Sequence, residues 1–354
     1  VRKRLSKKLR TRRFGLSVTL LDIARIAQVS ESAVSRALHD HPRISVATRQ
    51  RIKKIAEELE FDFNSHAQSL STSKSGTIGV IVPNFGADAR RTYYLDLLIN
   101  DIRAELGRLG FDLLIAESGP HGPEQSHLRR LVRQRKVDGF VLIIAELRTA
   151  DREILAKRDI PVVVVNSKPL PLAGQSLDEF SCFFTDNLAG GGQAAAHLID
   201  RGCTNLICLA DDVAGPEMVD RTLGFVTEAQ RHGLNPEVHS VTSDFASTEA
   251  YVAGHLDRFR QADGVFCHTD VMACSVLGAL QRAGLNVPGD VKVVGYDDIE
   301  LGTYFSPQVT TVHQPREAIA RLACARLASL LRGSSRAPAE HVSVTPHLVV
   351  RGST

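Results

Sequence analysis

Two groups of polar side chains in this sequence have types and spacings that could do chemistry. The first is Glu31, Ser32, Ser35, Arg36 and His39, in and just after the stretch VTLLDIARIAQVSESAVSRAL. At helical spacing these residues face one way, while Val34, Ala37 and Leu38 face the other. Such a face offers the donors and acceptors that can read base edges in a DNA groove. The second group is Arg221 and Asp297. Arg221 closes the acidic stretch DDVAGPEMVDR, and its planar fork could hold two adjacent hydroxyls. A surface ion pair with Asp220 is the alternative. Asp297 follows the apolar run VKVVG, at the carboxyl end of a strand, where open α/β sheets bind ligands. Asn166 ends the run IPVVVV in the same way.

The elements that must position the first group are short helices. Thr19 caps a helix with Asp22 in its first turn, and Leu20, Ile23, Ala24 and Ala27 form its apolar stripe. A turn follows, and Ser30 caps the second helix. Small Ala24 and Val29 stand where two closely crossing helices need them. Ser45 caps a third helix over 48–59, with Ile52, Ile55, Ala56 and Leu59 on one side. This is the logic of a helix-turn-helix, whose second helix presents its first residues to the major groove. A plain three-helix bundle with solvated charges is the alternative. Charge favours DNA. Residues 1–75 carry 16 Lys and Arg against 7 Asp and Glu, whereas the remainder carries 27 against 33. Half of the basic residues of that head lie in 1–17, which contains no acid and reads equally as a disordered tail or a DNA-binding one. The Ser- and Gly-rich SLSTSKSG after residue 68 reads as a linker.

From residue 76 the text alternates between apolar strands and amphipathic helices. Strands are expected at 77–82, 111–116, 138–144 and 160–165, then at 181–185, 205–210, 263–267 and 291–295. Helices are expected near 93–109, 123–136, 150–158, 188–201, 217–232, 247–261 and 270–284. Continuous apolar strands between helices mean parallel sheets covered on both faces. Two series mean two lobes, able to trap a small molecule in the cleft between them.

Composition narrows the remaining classes. The chain has 354 residues, 43% hydrophobic and 23% charged, enough for two or three domains. No apolar run approaches a membrane span and no signal peptide is visible, so a soluble cytoplasmic protein is expected. Cys182, Cys203, Cys208, Cys267, Cys274 and Cys324 form no CxxC pair and read as core residues in a reducing compartment. The 13 histidines are dispersed, and HExxH, GxSxG and Walker patterns are absent. No metal, no cofactor and no catalysis are expected. One rival is a nicotinamide-dependent enzyme: Gly190-Gly191-Gly192-Gln193-Ala194-Ala195 fits GxGxxA, and Asp211 lies about 20 residues on. Four residues separate Thr185 from Gly190, which puts the glycines inside the helix, serving close helix–sheet packing. The other rival is a transport-linked sugar-binding protein, which needs export.

The wording is more specific than the pattern. VTLLDIARIAQVSESAVSRAL, RISVATRQRI and NSHAQSL resemble the DNA-binding head of the lactose-repressor (LacI/GalR) family of transcriptional regulators. Gln28 replaces the frequent turn Gly, and Phe61-Asp62-Phe63-Asn64 replaces Tyr-x-Pro-Asn. The body resembles the same family's periplasmic-binding-protein-like core over its full length, through Arg221-x-x-Gly224-Phe225, Thr269-Asp270-Val-Met272-Ala, VVGYDDIEL, PQVTTVHQP and LVVRGST.

The resemblance implies a small all-α helix-turn-helix head (18–63), a hinge helix and linker (64–75), and an α/β body of two doubly wound parallel-sheet lobes (76–354). The first lobe would hold 76–177 and 308–338, and the second 178–307 and 339–354. It implies a homodimer on operator DNA, with no coiled-coil tetramer after Val350, switched by a sugar or sugar derivative between the lobes. The DNA-facing set becomes Leu20, Glu31, Ser32, Ser35, Arg36, His39, Thr48, Asn64, Ala67 and Leu70. Leu70 would wedge into a base step of the minor groove. The effector set becomes Asn84, Tyr94, Asn166, Arg221, Phe245, Thr269 and Asp297. Phe245 matches a ring that stacks on sugars, with a core role as its alternative. Asn166 stands where Asp is frequent, Thr269 where Asn is usual, and Thr92-Tyr93-Tyr94-Leu95 where the family has Asn-Pro-Phe-Phe.

Overall fold

A computed structural model describes residues 18–38, 40–59, 61, 74–83, 93–118, 126–143, 147–169, 177–212, 215–334 and 337–354. His39, Asn64, Ala67, Leu70 and Asn84 lie outside the described residues. The chain divides into two units between Lys74 and Ser75.

The first unit is built on α1 (Leu20–Ala27), α2 (Glu31–Leu38) and α3 (Val46–Glu58). Each start is capped as its sequence demands. The Thr19 hydroxyl accepts from the Asp22 amide, whose carboxylate in turn accepts from the Thr19 amide at 3.0 Å. The Ser30 hydroxyl accepts from the Ala33 amide at 3.2 Å, and that of Ser45 from the Thr48 amide at 3.3 Å. Gln28 ends α1 in the left-handed region, φ 52°, the place where a glycine would be free of strain. Ile23, Val34, Ala37 and Ile52 are sealed at the centre of the three helices.

The second unit contains two six-stranded sheets. The first is formed by β1 (Thr77–Val82), β2 (Asp112–Glu117), β3 (Gly139–Ile143), β4 (Val162–Val165), β5 (Ser181–Thr185) and a late strand, His341–Val344. Its order is late strand, β5, β4, β3, β1, β2, all parallel. The helices α4 (Tyr93–Arg108), α5 (His127–Arg133) and α6 (Thr149–Arg158) belong to this lobe. The second sheet is formed by β6 (Leu206–Asp211), β7 (Glu237–Val241), β8 (Gly264–Cys267), β9 (Lys292–Asp297), β10 (Thr310–His313) and a last strand, His347–Val349. Only that last strand runs antiparallel, at the sheet edge beside β10. The helices α7 (Asn187–Asp200), α8 (Pro216–Arg231), α9 (Phe245–Gly254), α10 (Leu256–Gln261) and α11 (Asp270–Arg282) belong here. The late strand and the last strand are β11 and β12. A final helix, α12 (Arg316–Ser329), lies between β10 and β11 in the chain and packs Ile319, Ala320, Ala323 and Leu327 into the first lobe.

The chain therefore crosses between lobes three times, but later than the expected 177, 307 and 339. β5 pairs with β4, Val163 opposite Ser181, so SCFFT belongs to the first sheet and the crossing follows Thr185. The second crossing follows His313 and the third lies between Val344 and His347. The cause is plain in β5, whose five residues are all buried. A strand buried on both faces carries no mark of which sheet receives it. The single helix expected over 247–261 is two, α9 and α10, meeting at His255.

The glycine run is not a nucleotide turn. Gly190, Gly191 and Gly192 lie inside α7. A Cβ on Gly191 would stand 2.1 Å from the Arg221 carbonyl oxygen, and one on Gly224 would stand 2.0 Å from that of Leu188. A Cβ on Gly190 would meet the Tyr296 hydroxyl at 2.3 Å. The glycines let α7 and α8 touch backbone to backbone and let α7 lie on β9. All six cysteines are free and buried. Among the described residues, no helix is long and apolar enough to cross a membrane.

Candidate functional site

On the head, Glu31, Ser32 and Arg36 are exposed along α2, with Ser35 partly exposed beside them. Leu20 and Thr48 are half-buried. Leu20 packs on the head core, and the Thr48 hydroxyl lies 2.8 Å from that of Ser45 within the α3 cap. Part of the basic surplus has internal work. Arg51 donates to the Ala27 carbonyl at 2.8 Å, closing the end of α1. Lys53 and Arg49 both reach Asp40 in the loop after α2. These contacts fix the turn geometry that aims α2.

In the second unit the strand ends converge. β9 delivers Asp297, 6% exposed, with φ 116°, a conformation few non-glycine residues adopt. Arg221 comes from the second turn of α8 and is 3% exposed. Its Nε donates to Asn187 Oδ1 at 2.9 Å and its Nη1 to the His268 carbonyl at 2.5 Å. Nη1 lies 3.8 Å from Asp297 Oδ1, and the guanidinium stands over the Tyr296 ring, 3.8 Å from its centroid. The surface pairing of Arg221 with Asp220 is thus excluded: Asp220 pairs instead with Lys168, which follows β4 in the first lobe.

The carboxyl of Asp297 is pushed up to about 6 by burial, against the pull of Arg221 and of a hydrogen bond from Gln314. It also accepts from the Asp270 amide at the start of α11. Asp270 itself is fully buried and accepts from Thr311 Oγ1 at 2.6 Å and from the Ile299 amide at 2.9 Å. His268 is held neutral beneath the site, its pKa lowered to about 3 by burial and then by Arg221. Its Nδ1 accepts from the Asp211 amide, which leaves Nε2 to donate to Thr222 Oγ1 at 3.0 Å.

The first lobe supplies Tyr94 and Asn166. The Tyr94 hydroxyl donates to Asn166 Oδ1 at 3.3 Å, and burial raises the pKa of the phenol. That phenol feels both Asp297 and Arg221. The structure therefore brings Tyr94, Asn166, Arg221 and Asp297 to one locus. Thr269 caps α11, accepting from the Met272 amide at 3.2 Å, and its hydroxyl lies 2.8 Å from that of Ser243. Phe245 opens α9 and is half-buried against the second-lobe core, so it has the core contact that was its alternative. Sequence reasoning missed Asn187, Tyr296, His268 and Gln314, which hold Arg221 and Asp297 from behind. Among the described residues no group of three or more His, Cys, Asp or Glu side chains could hold a metal ion.

Residues 19–64 match the model of bacterial regulatory proteins of the lacI family, and residues 195–354 match a periplasmic binding protein-like domain. The chain is 30% identical to the ribose operon repressor of Escherichia coli (strain K12), over 95% of this chain and 99% of that one. The chain belongs to the lacI family. It is a DNA-binding transcriptional regulator with a two-lobed ligand-binding body. A solved structure of the transcriptional regulator CelR with cellobiose is 26% identical, TM-score 0.68, over 95% of this chain and all of that one. The lac repressor dimer bound to operator and an anti-inducer shares the fold at TM-score 0.80 and 22% identity, over 96% and 99% of the two chains. Membership of the family turns the GxGxxA rival into a packing motif, in agreement with the helix contacts of Gly191 and Gly224.

Proposed function

We propose that this chain represses transcription as a cytoplasmic homodimer on operator DNA, and that a sugar or sugar derivative between its lobes switches that binding. The observation that carries the reading is the buried Arg221–Asp297 pair at the strand ends, facing Tyr94 and Asn166 from the other lobe. A guanidinium and a carboxylate side by side offer donors and acceptors to neighbouring hydroxyls of one ring. Phe245 would add an apolar face, and Asn84 and Thr269 further polar contacts. Relatives whose names carry ribose and cellobiose support a sugar. No catalytic role is assigned.

In this reading residues 18–63 form the DNA-reading head and 64–75 the hinge. Glu31, Ser32, Ser35, Arg36 and His39 address the major groove, with Leu20 and Thr48 at its edge. Asn64, Ala67 and Leu70 address the minor groove. A thermal-shift screen over pentoses, hexoses, sugar phosphates and purines tests the ligand class. A ligand at 100 times its Kd adds about 2.7 kcal/mol. The expected result is a rise in Tm with a sugar, absent in Asp297→Ala. A rise with purines alone would replace the ligand class, and no rise at all would contradict a ligand site here.

A further inference from the structure

Glu217 occupies the first turn of α8 and is 7% exposed. Its carboxylate accepts from its own amide and from the amide of Lys168. Lys168 belongs to the segment after β4 in the first lobe, so the carboxylate lies on the seam where the lobes meet. One oxygen, Oε1, is closed to solvent and has no hydrogen-bond partner. A buried carboxylate oxygen without a donor is costly, and native proteins rarely leave one.

The nearby cations have other partners. The Lys168 ammonium pairs with Asp220, and the Arg221 fork is divided among Asn187, the His268 carbonyl and the Tyr296 ring. Glu217 and Arg221 stand four residues apart on α8, hence on the same face and one turn from each other. The orphan oxygen thus belongs to the locus where Arg221 and Asp297 converge. Arg221 attracts the Glu217 carboxylate and Asp220 repels it, while Asp211 adds negative charge beside Asp297.

We infer that Glu217 sets the charge class of the ligand: the site takes an uncharged or ammonium-bearing polyol that donates a hydrogen bond to Oε1, and turns away its phosphorylated form. This rests on the sugar reading of the cleft. A hydroxyl or ammonium supplies the missing donor. A phosphate monoester brings mainly acceptors and a like charge to a carboxylate that burial already makes hard to ionise. Because Glu217 also holds the first-lobe amide of Lys168, a ligand that satisfies Oε1 does so with the lobes together.

The test uses matched sets: D-glucose, D-glucosamine and D-glucose 6-phosphate, and D-ribose and D-ribose 5-phosphate. Each is titrated calorimetrically into the full-length wild type and Glu217→Gln, with melting curves on both. In the set that binds, the phosphate ester is expected to bind at least ten-fold more weakly than its parent, and Glu217→Gln to shrink that ratio several-fold. A wild type that binds the ester as tightly as the parent overturns the inference, and needs no variant. A folded Glu217→Gln that leaves the ratio unchanged also overturns it, while the sugar reading stands. If neither set binds the wild type, the sugar reading and the inference with it are contradicted.

Discussion

Gln314 donates from Nε2 to Asp297 Oδ1 at 2.7 Å. Its other end accepts from the Thr185 hydroxyl at 3.0 Å. Thr185 closes β5, the last residue before the first crossing between lobes, and Gln314 follows β10 at the second crossing. The register that sets His313 opposite Asp297 brings the amide to the carboxylate. A side chain buried to 2% exposure therefore ties the Asp297 carboxylate to two of the three connections between the lobes.

Replacing Gln314 by Leu removes the donor and leaves Asp297 less able to ionise. A buried hydrogen bond to a charged group contributes about 1.5–3 kcal/mol. Effector affinity is expected to fall about 10–150-fold, read by calorimetry. An unchanged Kd would mean that Asp297 does not meet the ligand.

The pH dependence has a definite sign. Burial holds the Asp297 carboxyl up to about 6 from an ordinary 3.8. The folded state binds this proton more tightly, so the group favours folding most below about pH 4, and that contribution is lost as pH rises through about 6. Asp298, held down to about 2 by His313 and then Arg351, has the opposite sign: its contribution is full above 3.8 and is lost as pH falls through about 2. In the proposed cleft a ligand hydroxyl would donate to the ionised form of Asp297. Affinity should thus rise about ten-fold between pH 5 and pH 7, and Asp297→Asn should flatten the profile.

Two adjacent glycines should respond differently. Gly191→Ala places a methyl 2.1 Å from a backbone oxygen of α8 and should cost at least about 2 kcal/mol. The nearest atom to a Cβ on Gly192 is 3.8 Å away, so Gly192→Ala should be neutral or stabilise the helix by about 0.5–1 kcal/mol. Paired thermal melts decide. Equal tolerance at both positions would contradict the contact between α7 and α8.

Its burial and its hydrogen bonds to Asn187 and the His268 carbonyl make Arg221 part of the fold as well as of the cleft. Arg221→Ala removes the cation beside the buried Asp297 carboxylate and the donors to Asn187 and the His268 carbonyl. It should lower stability by about 3–5 kcal/mol as well as abolish the ligand response. A melting curve equal to wild type would place Arg221 at the surface after all.

What the sequence makes legible follows from periodicity. Leu20, Ile23, Ala24 and Ala27 recur at helical spacing, as do Ile52, Ile55, Ala56 and Leu59, and the caps Thr19 and Ser45 precede them, so the head reads directly. Arg221 and Asp297 stand at the edges of recognisable elements. Gln314 and Asn187 do not: each has polar neighbours that do not distinguish it, and its role depends on a partner more than 15 residues away in the chain. The sheet that receives β5 is equally silent, because Cys182, Phe183 and Phe184 are buried whichever sheet they join. Glu217 reads from sequence as one more acid in a loop. Only its placement on the lobe seam makes its missing partner meaningful.

The central claim, that one chain reads DNA with its head and is switched through its cleft, is tested by one titration. A labelled pseudo-palindromic operator duplex is titrated by fluorescence anisotropy, with scrambled duplex as competitor, with and without the sugar found in the thermal screen. The expected result is preference for the operator, affinity that falls steeply between about 50 and 200 mM salt, and a change of operator Kd of at least about five-fold when the sugar is present. Equal affinity for both duplexes, or an operator Kd that the bound sugar leaves unmoved, would contradict it.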